Sequence, residues 1–138
     1  FAAVMGGETS VGGHEVVVVM QREAGQGDTP KRAYKLLATS RTSTMQKELQ
    51  QLGDEGFEYK GQTVFQSAFA GREVAVILER ASDTQAVRIE YRLQATKRTS
   101  TLQKELNQQG AEGFQVLGMA VGKTAVGGDE LVCILGKR

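Results

Sequence analysis

The residues whose types could do chemistry are few and scattered. Gly122-Lys123-Thr124 has the ending of a phosphate-binding loop. That loop needs another Gly five positions before its last one, then a helix whose N-terminus faces the phosphate. Leu117 occupies that position and a strand pattern follows, while the equivalent Gly7-Glu8-Thr9 replaces Lys with Glu. A hairpin turn accounts for the segment. His14, the single histidine, falls beside turn glycines at a position filled elsewhere by Arg72 and Asp129, which describes a solvated turn without grouped metal partners. Cys133 aligns with Val18 and Val76 inside an apolar run, the setting of a buried structural thiol. Glu15, Glu73 and Glu130 recur at one end of three such runs. They could ring a cation, but salt bridges to Arg22, Arg80 or Lys137 are the simpler expectation. Arg41-Thr42-Ser43-Thr44 and Arg98-Thr99-Ser100-Thr101 could hold an anion at helix N-termini, although capping alone explains the hydroxyls.

These residues sit on a repeated frame. Tyr34-Lys35-Leu36 matches Tyr91-Arg92-Leu93, and Met45-Gln46-Lys47-Glu48-Leu49 matches Leu102-Gln103-Lys104-Glu105-Leu106. Gly53-Asp54-Glu55-Gly56-Phe57 matches Gly110-Ala111-Glu112-Gly113-Phe114, always 57 residues apart. A fixed period marks a duplicated structural unit. The second half of the unit occurs a third time at the start, where Gly13-His14-Glu15-Val16 aligns with Gly71-Arg72-Glu73-Val74 and Phe1 stands level with Tyr59 and Val116.

Each unit reads as strand, helix and hairpin. Ser43 with Gln46, and Ser100 with Gln103, have the spacing of capping boxes. Met45, Leu49 and Leu52 form one apolar helical stripe; the second copy carries Leu102 and Leu106, then Gln109. Gly53 and Gly110 are placed to end their helices in the left-handed conformation. The last strands, at 16–20, 74–78 and 131–135, are apolar at consecutive positions, which predicts cover on both faces. The fold class expected is α+β: tandem β-α-β-β repeats dominated by antiparallel sheet, with two helices, an extra N-terminal hairpin and a pseudo-twofold between the full units. The units are a partial repeat at 1–23 and full repeats at 34–80 and 91–138, with linkers at 24–33 and 81–90.

Composition narrows the class further. The net charge is +1 with no Lys/Arg block, so nucleic acid is not an expected partner. One cysteine excludes an intrachain disulfide, and no apolar run approaches the ~20 residues of a membrane span. The chain starts at Phe1 without signal-peptide features, which reads as a processed product whose targeting segment lay upstream.

The order of aromatic-basic strand, amphipathic helix, Gly-x-Glu-Gly-Phe and Gly-containing hairpin resembles an uncharacterised bacterial family of short strand–helix–strand–strand domains. The resemblance rests on Tyr34/Tyr91, Gly53/Gly110, Glu55/Glu112, Gly56/Gly113, Phe57/Phe114 and Ile77/Ile134. It implies the fold and brings no catalytic residues.

The leading hairpin lacks a strand and helix of its own. Each residue at 16–20 would lose roughly 1.5–3 kcal/mol of burial if left in water. The expected function is therefore a non-enzymatic, exported structural protein of the cell envelope or exterior. Its partner is itself, in a filament or homopolymer built by hairpin complementation. The expected interface is Phe1, Val4, Val16, Val17, Val18, Val19 and Met20. No cofactor, metal or small-molecule substrate is expected. The alternative is a monomeric or dimeric envelope module holding a ligand between sheet and helices.

Overall fold

The computed structural model describes residues 1–22, 24–25, 31–67, 71–82, 85–123 and 128–138. Much of the linker expected at 24–33 lies outside them, as do the tips of the second and third hairpins and Thr124 of the loop tested for phosphate binding. The elements run β1 (Ala3–Thr9), β2 (Gly13–Val19), β3 (Arg32–Thr39), α1 (Thr42–Asp54), β4 (Glu58–Ser67), β5 (Gly71–Ala81), β6 (Glu90–Thr96), α2 (Thr99–Ala111), β7 (Gln115–Lys123) and β8 (Asp129–Lys137). The class is α+β, with the described strands in antiparallel sheets.

Three separate sheets form, ordered β1-β2, β3-β5-β4 and β6-β8-β7. The consecutively apolar strands are the central ones. Residues 74–79 of β5 and 132–136 of β8 are buried throughout, because a helix or sheet lies on either side. β2 departs from this expectation: Val16 and Val18 are half-buried, whereas Val17, Val19 and Met20 are exposed. Among the described residues, one face of the leading hairpin is covered, by the β3-β5-β4 sheet, and the other is open.

α1 buries the stripe Met45, Leu49 and Leu52 against Val74, Val76, Leu78 and Phe57. α2 packs Leu102 with Phe114, Cys133 and Leu135 in a smaller cluster. Where the stripe should finish, Gln109 is buried instead and accepts a hydrogen bond from Arg92, whose guanidinium lies 4.1 Å above the Phe114 ring.

Helix ends differ from expectation in two ways. Arg41 and Arg98 are the N-caps and make no side-chain cap, so Ser43 and Ser100 fall inside their helices. The left-handed residues are Gly56 and Gly113, with φ of 81° and 90°, while Gly53 and Gly110 are helical. The chain continues two residues beyond each helix before turning, and only glycine takes that conformation without a Cβ penalty.

The pseudo-twofold is also replaced. A twofold would require Val116 to meet Gly61 as Tyr59 meets Gly118. Gly61 instead faces Phe1 and Val4, so successive repeats are related head to tail.

Candidate functional site

Most of the chemistry-bearing residues are dispersed by the fold. His14 is exposed opposite Glu8 on the β1–β2 hairpin. Among the described residues no cluster of three or more His, Cys, Asp or Glu could hold a metal. Cys133 is fully buried beside Leu102, Phe114 and Leu135, and burial pushes its thiol pKa up, away from a reactive thiolate. Glu73 and Arg80 lie at opposite ends of β5, and Glu130 and Lys137 at opposite ends of β8, so those expected salt bridges do not form. Arg80 and Lys137 donate instead to the carbonyls of Glu55 and Glu112, and their cations stand over Phe57 and Phe114. The hollow at the α1 N-terminus, lined by Thr39, Ser40, Arg41, Thr42 and Met45, has about 10 Å³. That is at the limit for one water and too small for a phosphate.

What the fold does bring together is a contact between repeats, built twice. β4 carries a bulge between Tyr59 and Gly61, and β7 carries its counterpart between Val116 and Gly118. A Cβ on Gly61 would lie 3.0 Å from the Phe1 ring and 3.2 Å from Val4. A Cβ on Gly118 would collide with the Tyr59 hydroxyl and crowd Gln62 at 2.9 Å. Tyr59 and Gln62 are the counterparts of Phe1 and Val4, each 58 residues on. A hydrogen bond repeats in the same register. The Phe1 amino group donates to the Tyr34 hydroxyl at 3.2 Å, and the Tyr59 amide donates to the Tyr91 hydroxyl at 2.8 Å. Tyr91 is 1% exposed and its hydroxyl donates a hydrogen bond to the Phe57 carbonyl at 2.8 Å, and burial pushes its pKa up to about 12.

The second part of the contact is a clamp. β6 is an edge strand, whose outward N–H and C=O groups would otherwise be unpaired. Gln46 Nε2 donates to the Tyr91 carbonyl at 2.8 Å, and its Oε1 accepts the Leu93 amide at 2.7 Å. Gln50 Oε1 accepts the Tyr91 amide at 2.9 Å, and its Nε2 donates to the Ile89 carbonyl at 3.2 Å. The spacing explains the fit. Four helical residues rise about 6 Å, close to the roughly 6.6–6.8 Å spanned by two strand residues. Each side-chain amide thus supplies one donor and one acceptor where a neighbouring strand would.

On α2, β7 and the leading hairpin the same parts are exposed. Gln103 and Asn107, the counterparts of Gln46 and Gln50, are exposed on α2. On β7 the face carrying Val116, Met119 and Val121 is 49%, 52% and 47% exposed. The far face of the β1–β2 hairpin exposes Ala3, Met5, Val17 and Val19. Of the residues expected at an interface, Phe1, Val4, Val16 and Val18 are turned inward and at least half-buried, while Val17, Val19 and Met20 are open.

A hollow of about 450 Å³ runs between the leading hairpin, β4 and β7, and Glu8, His14 and Arg72 are among the residues that line it. No described helix is long and apolar enough to cross a membrane. Comparison with protein-family models, with characterised proteins and with solved structures finds no match.

The glycines of the bulges and the clamping glutamines were not singled out by the sequence patterns. Gly61 and Gly118 recur at the repeat spacing, and that recurrence was the available signal. Gln46 was assigned to capping because its spacing from Ser43 fits that role equally well.

Proposed function

We propose that the chain is a non-enzymatic structural protein whose activity is to assemble with copies of itself into a head-to-tail polymer. The observation that carries this reading is the double use of one contact. The relation joining the leading hairpin to the first full repeat is the relation joining the first full repeat to the second. Such a contact has two different faces; the leading hairpin exposes one of them and β7 the other. A heterologous contact that does not close on itself propagates as an open filament. Exposed apolar sheet faces of this type are also unusual on a protein that works alone.

Negative-stain electron microscopy and sedimentation of the purified 138-residue chain over a wide concentration range test the reading. Filaments or a concentration-dependent ladder of oligomers are expected. A uniform monomer at the highest concentration would overturn it.

A further inference from the structure

We infer that, in the assembly, the open face of β7 on one copy receives the far face of the β1–β2 hairpin of the next copy, in the register used inside the chain. This rests on the self-assembly reading and specifies its partner surface. Inside the chain the front of each hairpin's first strand meets the back of the next. Phe1 and Val4 meet Gly61, and Tyr59 and Gln62 meet Gly118. Carried one step further, the relation sets Val116 and Met119 of one copy against Ala3 of the next, because these residues hold the corresponding repeat positions.

Side-chain size supports this register. Inside the chain an aromatic ring lies opposite a glycine, where any Cβ would crowd it. At the ends Val116 replaces the ring and Ala3 replaces the glycine. The methyl group added at Ala3 takes up part of the space that the smaller side chain of Val116 leaves, in the direction close packing requires. Around this pair, Met119 and Val121 offer apolar surface to Met5, Val17 and Val19.

The competing geometry fails on space. If α2 clamped β3 of another copy as α1 clamps β6, the β7–β8 hairpin would take the place that the second copy's own β1–β2 hairpin fills.

The test mixes two variants, Ala3→Cys and Met119→Cys, each also carrying Cys133→Val to remove the native thiol. Mild oxidation should give a disulfide-linked pair only in the mixture. A control mixture of Ala3→Cys with Gln103→Cys should stay at background. A second variant, Met119→Glu with its fold checked by circular dichroism, should reduce polymer at least tenfold. Polymers that form without the 3–119 cross-link, and that tolerate Met119→Glu, would overturn this register and leave the self-assembly reading standing. A wild-type chain that stays monomeric overturns both.

Discussion

The Tyr59 hydroxyl occupies the space that any side chain on residue 118 would need, so Gly118 fixes how closely the second full repeat approaches the first. Tyr59 also donates to Gln62 at 3.3 Å, and its amide is held by Tyr91, so the ring has little freedom to move aside. Gly118→Val should therefore separate the two sheets. The expected cost is about 1–3 kcal/mol, the usual range for forcing volume into a packed interior. Urea unfolding monitored by circular dichroism measures it. Combining it with Tyr59→Ala should recover part of the loss, since the second change removes the colliding group.

The helix glycines offer a sharper contrast, because one sequence position has two environments. A Cβ on Gly53 would strike the Ile89 carbonyl and lie 2.8 Å from the Tyr91 ring. A Cβ on Gly110 meets nothing within 4 Å. Alanine is the better helix former by roughly 0.5–1 kcal/mol. Gly110→Ala should thus stabilise by about that amount, while Gly53→Ala should destabilise by about 1–3 kcal/mol as α1 is pushed from β6. Equal effects from the two would contradict the stacking of the repeats.

The glutamine clamp predicts another asymmetry. Gln46→Ala or Gln50→Ala strips two hydrogen bonds from the edge of β6 and should cost about 1–2 kcal/mol each. Gln103→Ala and Asn107→Ala, on the exposed counterpart helix, should leave monomer stability within ~0.5 kcal/mol. Hydrogen exchange at the Tyr91 and Leu93 amides should accelerate in the first pair and stay unchanged in the second.

The repeat, the α+β class and the burial of β5 and β8 were legible in the sequence because each rests on a pattern of residue type against position. The 57-residue register carries enough identities to be read directly, and consecutive apolar residues have a single physical cause. The stacking of one repeat on the next was not legible. It depends on small residues meeting large ones across a long separation in sequence, as Gly61 meets Phe1, and no local periodicity records that. Gln46 shows the limit within a single turn. Its spacing from Ser43 fits a cap, yet its amide is turned to the β6 edge, where a strand needs a partner and a solvated helix start does not.

Two sets of ionisable groups define the pH range in which the stack should hold. Burial alone would raise the pKa of Glu79, but the Tyr34 hydroxyl, Lys60 and Arg32 around it outweigh burial and hold the carboxyl below its ordinary value. A carboxyl depressed in the folded state adds stability that is complete above its unfolded pKa and disappears as pH falls through the folded one. Stability should accordingly fall below about pH 4.5, and Glu79→Gln should flatten that part of the profile. The tyrosines act at the opposite end. Burial pushes Tyr59 and Tyr91 up to about 12 from an ordinary value near 10. A group raised on folding adds stability that is complete below its unfolded pKa and is lost as pH climbs through the folded one. Urea midpoints should then decline between pH 10 and 12, in step with tyrosinate absorbance near 295 nm. Tyr91→Phe should shrink the alkaline decline while lowering stability at neutral pH, because the same hydroxyl joins the Phe57 carbonyl to the Tyr59 amide. If the tyrosinate signal that Tyr91→Phe removes appears at pH 10 without loss of structure, Tyr91 is not the buried link between the repeats.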